Sequence, residues 1–358
     1  MGNQYTLLGR SGLRVSPLCL GTMTFGDDWG WGAAEETAKQ LFLKYVDWGG
    51  NFVDTADLYT NGKSEEMVGR FVNEAKLRDK IVVATKYGYA AEPGNPNAGG
   101  NGRKNLMRAL EGSLRRLQTD YIDLYWVHAW DTLTPVEEVV SSLDCVVRQG
   151  KVRYIGLSNC PAWYVAEANG IARMRGYGPI VAMQLEYNLT ERSIEREHIP
   201  LALHQGIGII PWSPLAMGLL SGKYSRDSIQ EGRLKTVRGS GNPIMEKFEK
   251  NPRNWDIVDE VKNVAKELGR TPAQVALNWI ARRPGVASTL VGATKLPQLE
   301  GNLSALDFDI PYDLWTRIEA VSRPEECTPY SFFTPAMSPM MTGGASVCVE
   351  PSRYPKEQ

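Results

Sequence analysis

The sequence has few of the residues on which several classes of protein depend. Of its 358 residues only three are histidine and five are cysteine, and the cysteines form no Cys-x-x-Cys pair. We interpret them as reduced thiols of a cytoplasmic protein rather than as a disulfide framework. His198 and His204 stand six residues apart in a helix-like segment, a spacing that does not place them on one face. We therefore expect no bound metal and no metal-dependent hydrolase.

Long apolar runs and a surplus of either charge are also missing. The first residues, MGNQYTLLGRSGLRVSPL, lack the apolar core of a secretory signal, and no run of about eighteen apolar residues indicates a membrane span. Forty basic and forty-one acidic residues give a formal net charge of -1, with no block rich in Lys and Arg. We expect neither a nucleic-acid partner nor a membrane partner. No Gly-x-Gly-x-x-Gly follows a strand-like run, so a Rossmann site is not indicated.

Eight short apolar runs are present, and turns with helix-like segments lie between them. The runs are LCLGTMTF from Leu18, NFVDTAD from Asn51, IVVATKYG from Ile81, IDLYWVH from Ile122, VRYIGLSN from Val152, VAMQLEYN from Val181, GIGIIPWSP from Gly206 and ASTLVGAT from Ala287. Most begin about thirty residues apart, as strands of successive βαβ units do. The pattern predicts an α/β fold, a (β/α)8 TIM barrel rather than an open doubly wound sheet.

Segments outside this period predict additions to the barrel. YTLLGRSGLRVS before the first run predicts an N-terminal β-hairpin at the bottom of the barrel. The seventh interval, from Pro214 to Ala287, predicts a long functional loop and an extra helix. We expect a single barrel domain over residues 1–322. Residues 323–358 carry Pro, Gly, Met and aromatic residues without periodicity, and we expect an irregular C-terminal tail partly docked on the barrel.

Ionisable side chains stand at the ends of three consecutive runs. Asp54 and Tyr59 close the second run, Lys86 the third and His128 the fourth. Barrel enzymes gather their active sites at the carboxyl ends of the strands, so these four side chains are predicted to meet. Asp57, between Asp54 and Tyr59, is interpreted as a turn or cap residue.

The order and spacing of these four residues resemble the aldo-keto reductase family. The resemblance also covers GLSN at 156–159, MQLEYN at 183–188, WSPLAMGLLSGKY at 212–224 and GATKLPQLEGN at 292–302. It spans nearly all of residues 5–322. The resemblance implies an enzyme that transfers a hydride between a nicotinamide and an aldehyde or ketone, giving the alcohol.

The family's chemistry gives each of the four residues a role. Tyr59 would donate the proton, and the Lys86 ammonium would ease that transfer by lowering the pKa of the phenol. Asp54 would hold Lys86 and keep it protonated. His128 would orient the carbonyl oxygen by a hydrogen bond.

The resemblance also implies where a nucleotide binds. The cofactor residues carried over are Thr22, Met23, Asp54, Ser158, Asn159, Gln184, Trp212, Ser213, Leu215, Met217, Lys223, Arg233, Gly292, Thr294, Gln298 and Asn302. Trp212 would stack on the nicotinamide and leave one face open. The Lys and Arg with which many members grip the 2′-phosphate are replaced by Gly292 and Gln298, and Lys295 or Arg233 would supply positive charge. NADPH is favoured over NADH.

Aromatic residues near the predicted strand ends indicate the substrate class. Trp29, Trp31, Tyr87, Tyr89 and Trp130 are expected at the rim, joined by Phe332 and Phe333 if the tail folds back. Such a rim favours apolar or ring-containing carbonyl compounds. An alternative stays open: a redox-sensing regulatory subunit with little turnover, similar to potassium-channel beta subunits, although those carry Asn in place of His128. The sequence also leaves a homo-oligomer open.

Overall fold

Eight parallel strands form the centre of the structure, a computed structural model that describes residues 4–226 and 251–345. The strands are β3 (Leu18–Gly21), β4 (Phe52–Asp54), β5 (Val82–Tyr87), β6 (Ile122–Val127), β7 (Val152–Ser158), β8 (Ile180–Glu186), β9 (Gly208–Trp212) and β10 (Thr289–Val291). Neighbours in sequence pair in order, and β10 returns to pair with β3. A parallel bridge between Ile209 and Val286 joins the remaining edges. The predicted (β/α)8 barrel is confirmed.

Helices follow the strands and cover the outside of the barrel. In the described residues of the barrel they are Glu35–Asp47, Lys63–Glu74, Arg103–Leu117, Val136–Arg148, Ala162–Arg175, His198–Gln205, Pro252–Leu268, Pro272–Ala281, Leu296–Leu303 and Tyr312–Ser322. Glycines in the left-handed region end several of them, among them Gly176 at φ 65° and Gly269 at φ 62°, where a residue with a Cβ would be strained.

The described residues of the interval between β9 and β10 contain two helices, Pro252–Leu268 and Pro272–Ala281, so the expected extra helix is present. A 3-10 turn, Ala216–Ser221, precedes them. The second helix, Pro272–Ala281, begins with a capping box in which Thr271 and Gln274 satisfy each other's backbone N–H groups. Residues 227–250, which include most of the Gly- and basic-rich part of this interval, lie outside the described residues.

Two apolar layers follow from the alternation of side chains along the strands. Val82 and Ala84 pack inside the barrel with Trp126. Val83 and Tyr87 pack outside it, against the helices. Lys86 continues the inward series of β5, so the alternation carries its ammonium to the barrel axis.

The N-terminal hairpin closes the bottom of the barrel. β1 (Thr6–Leu7) pairs antiparallel with β2 (Arg14–Val15), and Leu8 and Val15 join the interior apolar layer. Gly9, at φ 58°, lies so close to the start of β8 that a Cβ would stand 2.4 Å from the carbonyl oxygen of Val181. The predicted hairpin is confirmed, and the opposite end of the barrel is left for ligands.

The chain divides into two compact units, Met1–Ser322 and Arg323–Gln358. Within the second unit, a 3-10 turn spans Tyr330–Phe333 and a short helix spans Ser338–Thr342. Docking of the tail, with Phe332 and Phe333 near the rim, stays a prediction. Among residues 4–226 and 251–345 the structure contains no helix long and apolar enough to cross a membrane.

Candidate active site

A cleft of about 1440 Å³ opens at the carboxyl end of the barrel strands. Asp54, Tyr59 and His128 line its floor. It extends past the end of β9 to the segment after β10, where Thr294 and Asn302 lie. The predicted catalytic residues therefore meet at one end of a long cleft.

Lys86 connects Asp54 and Tyr59 beneath this floor. Its Nζ donates to the Asp54 carboxylate, to the Thr55 carbonyl oxygen at 2.8 Å and to the Tyr59 hydroxyl at 3.1 Å. Gln184 Nε2 donates to the other Asp54 oxygen at 3.0 Å. Lys86 is fully buried and Asp54 is 1% exposed. The three donors of the ammonium are thus all used, and its position is fixed.

Burial and charge shift the pKa values of Lys86 and Asp54 in opposite directions. Burial alone lowers the pKa of Lys86, but the carboxylate of Asp54 and then the oxygen of Tyr59 raise it above its ordinary value. Burial raises the pKa of Asp54, and the Lys86 ammonium opposes that rise. A charged lysine in contact with a carboxylate offsets much of the cost of burying each charge. Lys86 therefore keeps its positive charge beside the Tyr59 hydroxyl.

His128 faces Tyr59 across the cleft floor. Their ring centroids are 6.0 Å apart with the planes at 80°, and the ring centroid of Tyr89 lies 4.6 Å from that of the imidazole. Burial, followed by the charge of Lys86, lowers the pKa of His128 well below its usual value. The imidazole is neutral near pH 7 and acts as a hydrogen-bonding group rather than as a cation.

The turn that carries Tyr59 has an unusual backbone. Thr60 and Asn61 have φ of 46° and 53°, and Gly62 follows at 92°. Consecutive left-handed residues persist only where the surroundings hold them. Here the Thr60 hydroxyl donates to the Phe25 carbonyl oxygen at 3.1 Å, and the Ser64 hydroxyl donates to the Thr22 carbonyl oxygen at 2.8 Å.

Polar groups and one indole ring lie beside the candidate catalytic residues. Asn159 Nδ2 donates to the His128 carbonyl oxygen at 3.0 Å and to the Ser158 hydroxyl at 3.1 Å. Trp212 Nε1 donates to Asn159 Oδ1 at 3.0 Å. Ser158 and Gln184 are register partners on neighbouring strands. The arrangement offers amide groups and an aromatic face to one planar polar ring.

The segment after β9 wraps around the middle of the cleft. Ser213, Ala216 and Met217 have φ of 50°, 47° and 59°, and Gly218 follows at 91°. A Cβ on Gly218 would stand 3.2 Å from Lys223 Nζ, so the glycine leaves room for that ammonium. Strained backbone at a cleft wall is typical of ligand clamps. The Lys223 charge suits an anionic ligand group.

The cleft as a whole fits a dinucleotide. Its volume exceeds the 300–1,000 Å³ that is typical of drug-sized ligands. Thr24 Oγ1 is buried in its wall and has no hydrogen-bond partner among the described residues. Gln298 Oε1 accepts from the Thr294 N–H at 3.0 Å at the far end, so a polar wall exists there too. Along the cleft, the ring site beside Trp212 is followed by the Lys223 cation and then by the polar end at Thr294. This order matches the nicotinamide, the phosphates and the adenosine of a nicotinamide dinucleotide.

Comparison with known proteins agrees with this geometry. Residues 17–323 match the sequence profile of the aldo/keto reductase family. The chain belongs to this family. As an aldo/keto reductase it is an oxidoreductase enzyme.

Similar proteins of this family carry different names. "Aryl-alcohol dehydrogenase [NADP(+)]" of Phanerodontia chrysosporium is 36% identical over 326 residues, covering 87% of this chain and 83% of its own. "Norsolorinic acid reductase" of Aspergillus flavus is 34% identical over 314 residues, covering 86% and 77%. "Probable voltage-gated potassium channel subunit beta" of rice, Oryza sativa subsp. japonica, is 38% identical over 343 residues, covering 91% and 99%.

The structure of this aldo/keto reductase places most of the sequence-predicted nucleotide residues at the cleft. Those that line it are Met23, Asp54, Ser158, Asn159, Gln184, Trp212, Ser213, Leu215, Met217, Lys223, Gly292, Thr294, Gln298 and Asn302. Trp29, Trp31 and Tyr89 line its mouth. Arg233 lies outside the described residues.

Three side chains are not where the sequence analysis expected them. Tyr87 follows the inward-pointing Lys86, so it points outward; it is fully buried and stacks on Tyr125 at 5.2 Å. Trp130 turns away from the cleft and packs on Trp163 and Tyr164. Thr22 is buried behind the wall. None of the three lines the cleft.

Thr22 supports the candidate catalytic residues instead of contacting the cleft. Its hydroxyl donates to the Asp54 carbonyl oxygen at 3.1 Å, and the Ser64 hydroxyl oxygen lies 2.9 Å from that hydroxyl. The short 3-10 turn Thr22–Thr24 directs the next residue, Met23, into the cleft. A change of direction of this kind leaves no periodic signal in the sequence.

Several cleft residues were missed, and Glu186 and Leu58 are two of them. Glu186 lines the cleft, and its place two residues after Gln184 was a usable signal because alternate residues of a strand share a face. Leu58 also lines the cleft, but it lies in the irregular turn before Tyr59, where no periodicity applies. Among the described residues no group of three or more His, Cys, Asp or Glu side chains is placed to hold a metal ion.

Proposed function

We propose that this chain is an NADPH-dependent carbonyl reductase that converts an aldehyde or ketone to the alcohol, with Tyr59 as the proton donor. The observation that supports this proposal most strongly is the hydrogen-bonded group of Asp54, Lys86 and Tyr59. It lies beside His128 at one end of a dinucleotide-sized cleft. The NADP(+) in the name of the Phanerodontia relative supports the nucleotide. The same residues serve the reverse oxidation of an alcohol.

Each catalytic residue has a function that follows from its contacts. The nicotinamide, when bound, supplies the hydride. As negative charge develops on the carbonyl oxygen, the Tyr59 hydroxyl donates its proton to that oxygen, and the Lys86 ammonium stabilises the phenolate that remains. Asp54 holds the ammonium in place. Neutral His128 fixes the carbonyl oxygen by a hydrogen bond at the cleft floor.

The groups beside the floor set the orientation of the nicotinamide. Ser158, Asn159 and Gln184 offer hydrogen-bonding groups to the carboxamide. Trp212, held by Asn159, would cover one face of the ring. The uncovered face would then be the one available to the substrate.

The mouth of the cleft supports a neutral, ring-containing substrate. Trp29 and Trp31 pack on each other with centroids 5.5 Å apart, and Tyr89 stands opposite on the His128 side. Aromatic side chains of this kind bind apolar and aromatic groups. The name of the Phanerodontia relative, an aryl-alcohol dehydrogenase, agrees with aryl compounds.

The nucleotide preference is expected to depend on Lys295. Among described residues it is the cleft-lining cation of the segment after β10, and Lys223 belongs to a different part of the cleft. Replacing Lys295 by glutamine should weaken NADPH binding about tenfold, the value of one charge-assisted hydrogen bond, and leave NADH binding unchanged. Fluorescence titration with both nucleotides measures this, with Lys266→Gln as the matched surface control. Equal losses for both nucleotides would contradict a contact with the 2′-phosphate.

The function is tested by binding and turnover in the same preparation. Nucleotide binding should quench tryptophan fluorescence, because Trp212 lines the cleft. We expect NADPH to do so at a lower concentration than NADH. Aromatic aldehydes and ring ketones should then oxidise NADPH, followed at its nicotinamide absorbance. Binding without turnover of any carbonyl would favour the regulatory subunit, a reading that the rice relative supports. Absence of binding would contradict the cleft as a nucleotide site.

A further inference from the structure

Asp57 is a buried acid that the proposed reaction does not use. The chain continues alongside β5 beyond the end of β4, since the Thr55 N–H donates to the Ala84 carbonyl oxygen at 2.9 Å and the Asp57 N–H to the Lys86 carbonyl oxygen at 3.2 Å. Alternation along this extension turns Asp57 away from the barrel axis that Asp54 faces. Asp57 is 8% exposed, and its Oδ1 has no hydrogen-bond partner among the described residues. It lies in the turn closed by the Tyr59 N–H and the Ala56 carbonyl oxygen, as the sequence indicated, but its carboxyl group is buried.

A second acid occupies the same buried layer. Glu65 is fully buried and accepts from the Thr85 hydroxyl at 2.6 Å and from Arg116 Nε at 2.6 Å. A Cβ on Gly62 would stand 2.6 Å from Arg116 Cδ, so that glycine admits the arginine. Arg116 is thus already engaged by Glu65 and is not a dedicated partner for Asp57.

The other charged and titratable groups around Asp57 offset little of the cost of burying its ionised carboxylate. Arg108 donates to the Ala98 carbonyl oxygen and to Asn105 Oδ1. The Tyr125 hydroxyl from β6 is buried without a hydrogen-bond partner among the described residues, and burial, followed by the Asp57 charge, raises its pKa. The groups that face Asp57 from the neighbouring helices and strand are Glu65, Arg108, Arg116 and Tyr125.

The protonation state of Asp57 changes near neutral pH. Burial, followed by the Glu65 charge, raises its pKa to about 7, and Arg116 and Arg108 oppose the rise. At mildly acidic pH the carboxyl is neutral. Above pH 7 it becomes a second negative charge in a layer that already holds Glu65, which favours its movement toward water.

Movement of Asp57 would carry Tyr59 with it. Two residues separate them, and the Tyr59 N–H donates to the Ala56 carbonyl oxygen at 3.1 Å within the same turn. Thr60, Asn61 and Gly62 continue that turn at positive φ, a strained backbone that is sensitive to its supports. A displaced turn would separate the Tyr59 hydroxyl from Lys86 Nζ.

We propose that Asp57 is a positioning residue that makes the reductase pH-sensitive: neutral Asp57 leaves Tyr59 in place beside Lys86, and ionised Asp57 displaces the turn and slows proton donation. The proposal rests on the proposed function, because Asp57 acts through Tyr59. His128 does not account for such a transition, since its pKa lies well below 6.5.

The kinetic test compares kcat of wild type, Asp57→Asn and Glu66→Gln across neutral pH. Glu66 is an exposed acid on the same helix as Glu65, so its variant is the matched control. A single ionisation near pH 7 should lower the wild-type kcat about tenfold from about pH 6 to about pH 8. The Asn variant should change by less than about twofold over that interval, Glu66→Gln should follow wild type, and Asp57→Glu should restore a pH dependence. A wild-type kcat independent of pH, or an Asn variant with the wild-type profile, would overturn the proposal.

A stability measurement tests the ionisation independently of turnover. The folded-state pKa of Asp57 is raised above the unfolded value of about 3.9, so this group's stabilising contribution is full below that value and is lost as pH rises to about 7. The advantage in Tm of Asp57→Asn over wild type should therefore grow across this window and then level off. A difference that is constant with pH would contradict a titrating Asp57. If the Asn variant fails to fold, Asp57→Ser replaces it in both measurements.

The two measurements separate failure of this proposal from failure of the proposed function. Wild type without carbonyl turnover at any pH would contradict the reductase function. The Tm comparison would then still decide whether Asp57 titrates. Normal turnover with identical pH profiles for wild type and Asp57→Asn would contradict only the role of Asp57.

Discussion

Replacing Tyr59 by phenylalanine should lower kcat for carbonyl reduction about 10²–10⁴-fold, the usual contribution of a positioned general acid. The substitution removes the hydroxyl that accepts from Lys86 Nζ at 3.1 Å and leaves the ring in place. Lys86 keeps its bonds to Asp54 and to the Thr55 carbonyl oxygen, so the fold and the nucleotide affinity should be nearly unchanged. Single-turnover reduction and NADPH fluorescence titration measure the two quantities separately.

Tyr87→Phe is the matched control for this variant. It removes the same atom from a tyrosine one residue away from Lys86, but on the outer face of β5, where the hydroxyl donates to the Asn101 carbonyl oxygen at 3.3 Å. Turnover should stay within about twofold of wild type, because a single weak hydrogen bond is lost far from the substrate. Similar kcat losses in the two variants would show that Tyr59 has no special role in proton donation.

Replacing Lys86 by methionine should affect both turnover and stability. The ammonium no longer stabilises the Tyr59 phenolate, and we expect a loss of about 100-fold or more in kcat. Asp54 is left buried without its cation, which typically costs about 3–5 kcal/mol of unfolding free energy. Chemical denaturation followed by circular dichroism measures the stability change.

A double variant separates these two effects of Lys86. Asp54→Asn combined with Lys86→Met removes both charges, and Asn still offers an oxygen to Gln184 Nε2. Stability should recover most of the way toward wild type, whereas turnover should not recover at all. A double variant as unstable as Lys86→Met would mean that packing, and not the unpaired Asp54 charge, causes the loss. Recovery of turnover would contradict the proposed role of the ammonium.

Periodicity made the barrel and the placement of its candidate catalytic residues predictable. The spacing of the apolar runs gave eight strands in the correct order, and strand ends marked Asp54, Lys86 and His128. The same alternation, applied one residue further, would have excluded Tyr87 and included Glu186. Tertiary packing determines the position of Trp130. Its ring packs on Trp163 and Tyr164, which lie on a helix of the next repeat, and not in the cleft.

The surroundings of Asp57 were beyond prediction for a different reason. Burial, followed by the Glu65 charge, raises its pKa, and Arg116, which stands 51 residues after Glu65, opposes the rise. A sequence shows that these residues are charged, but not that two helices bring them into one buried layer. The local spacing of Asp54 and Tyr59 indicated a catalytic role, but it gave no information about the ionisation of Asp57.

The outward position of Tyr87 limits which length changes this protein tolerates. Thr85, Lys86 and Tyr87 face alternately out, in and out, so a one-residue deletion or insertion early in β5 would bring a hydroxyl or a phenol to the axis and move the ammonium under the helices. Such a change would separate the Lys86 ammonium from Asp54 and Tyr59 and bury it under the helices without a partner. Length variation is therefore expected in the connecting loops, whereas β5 is expected to keep its exact residue count between Ile81 and Gly88.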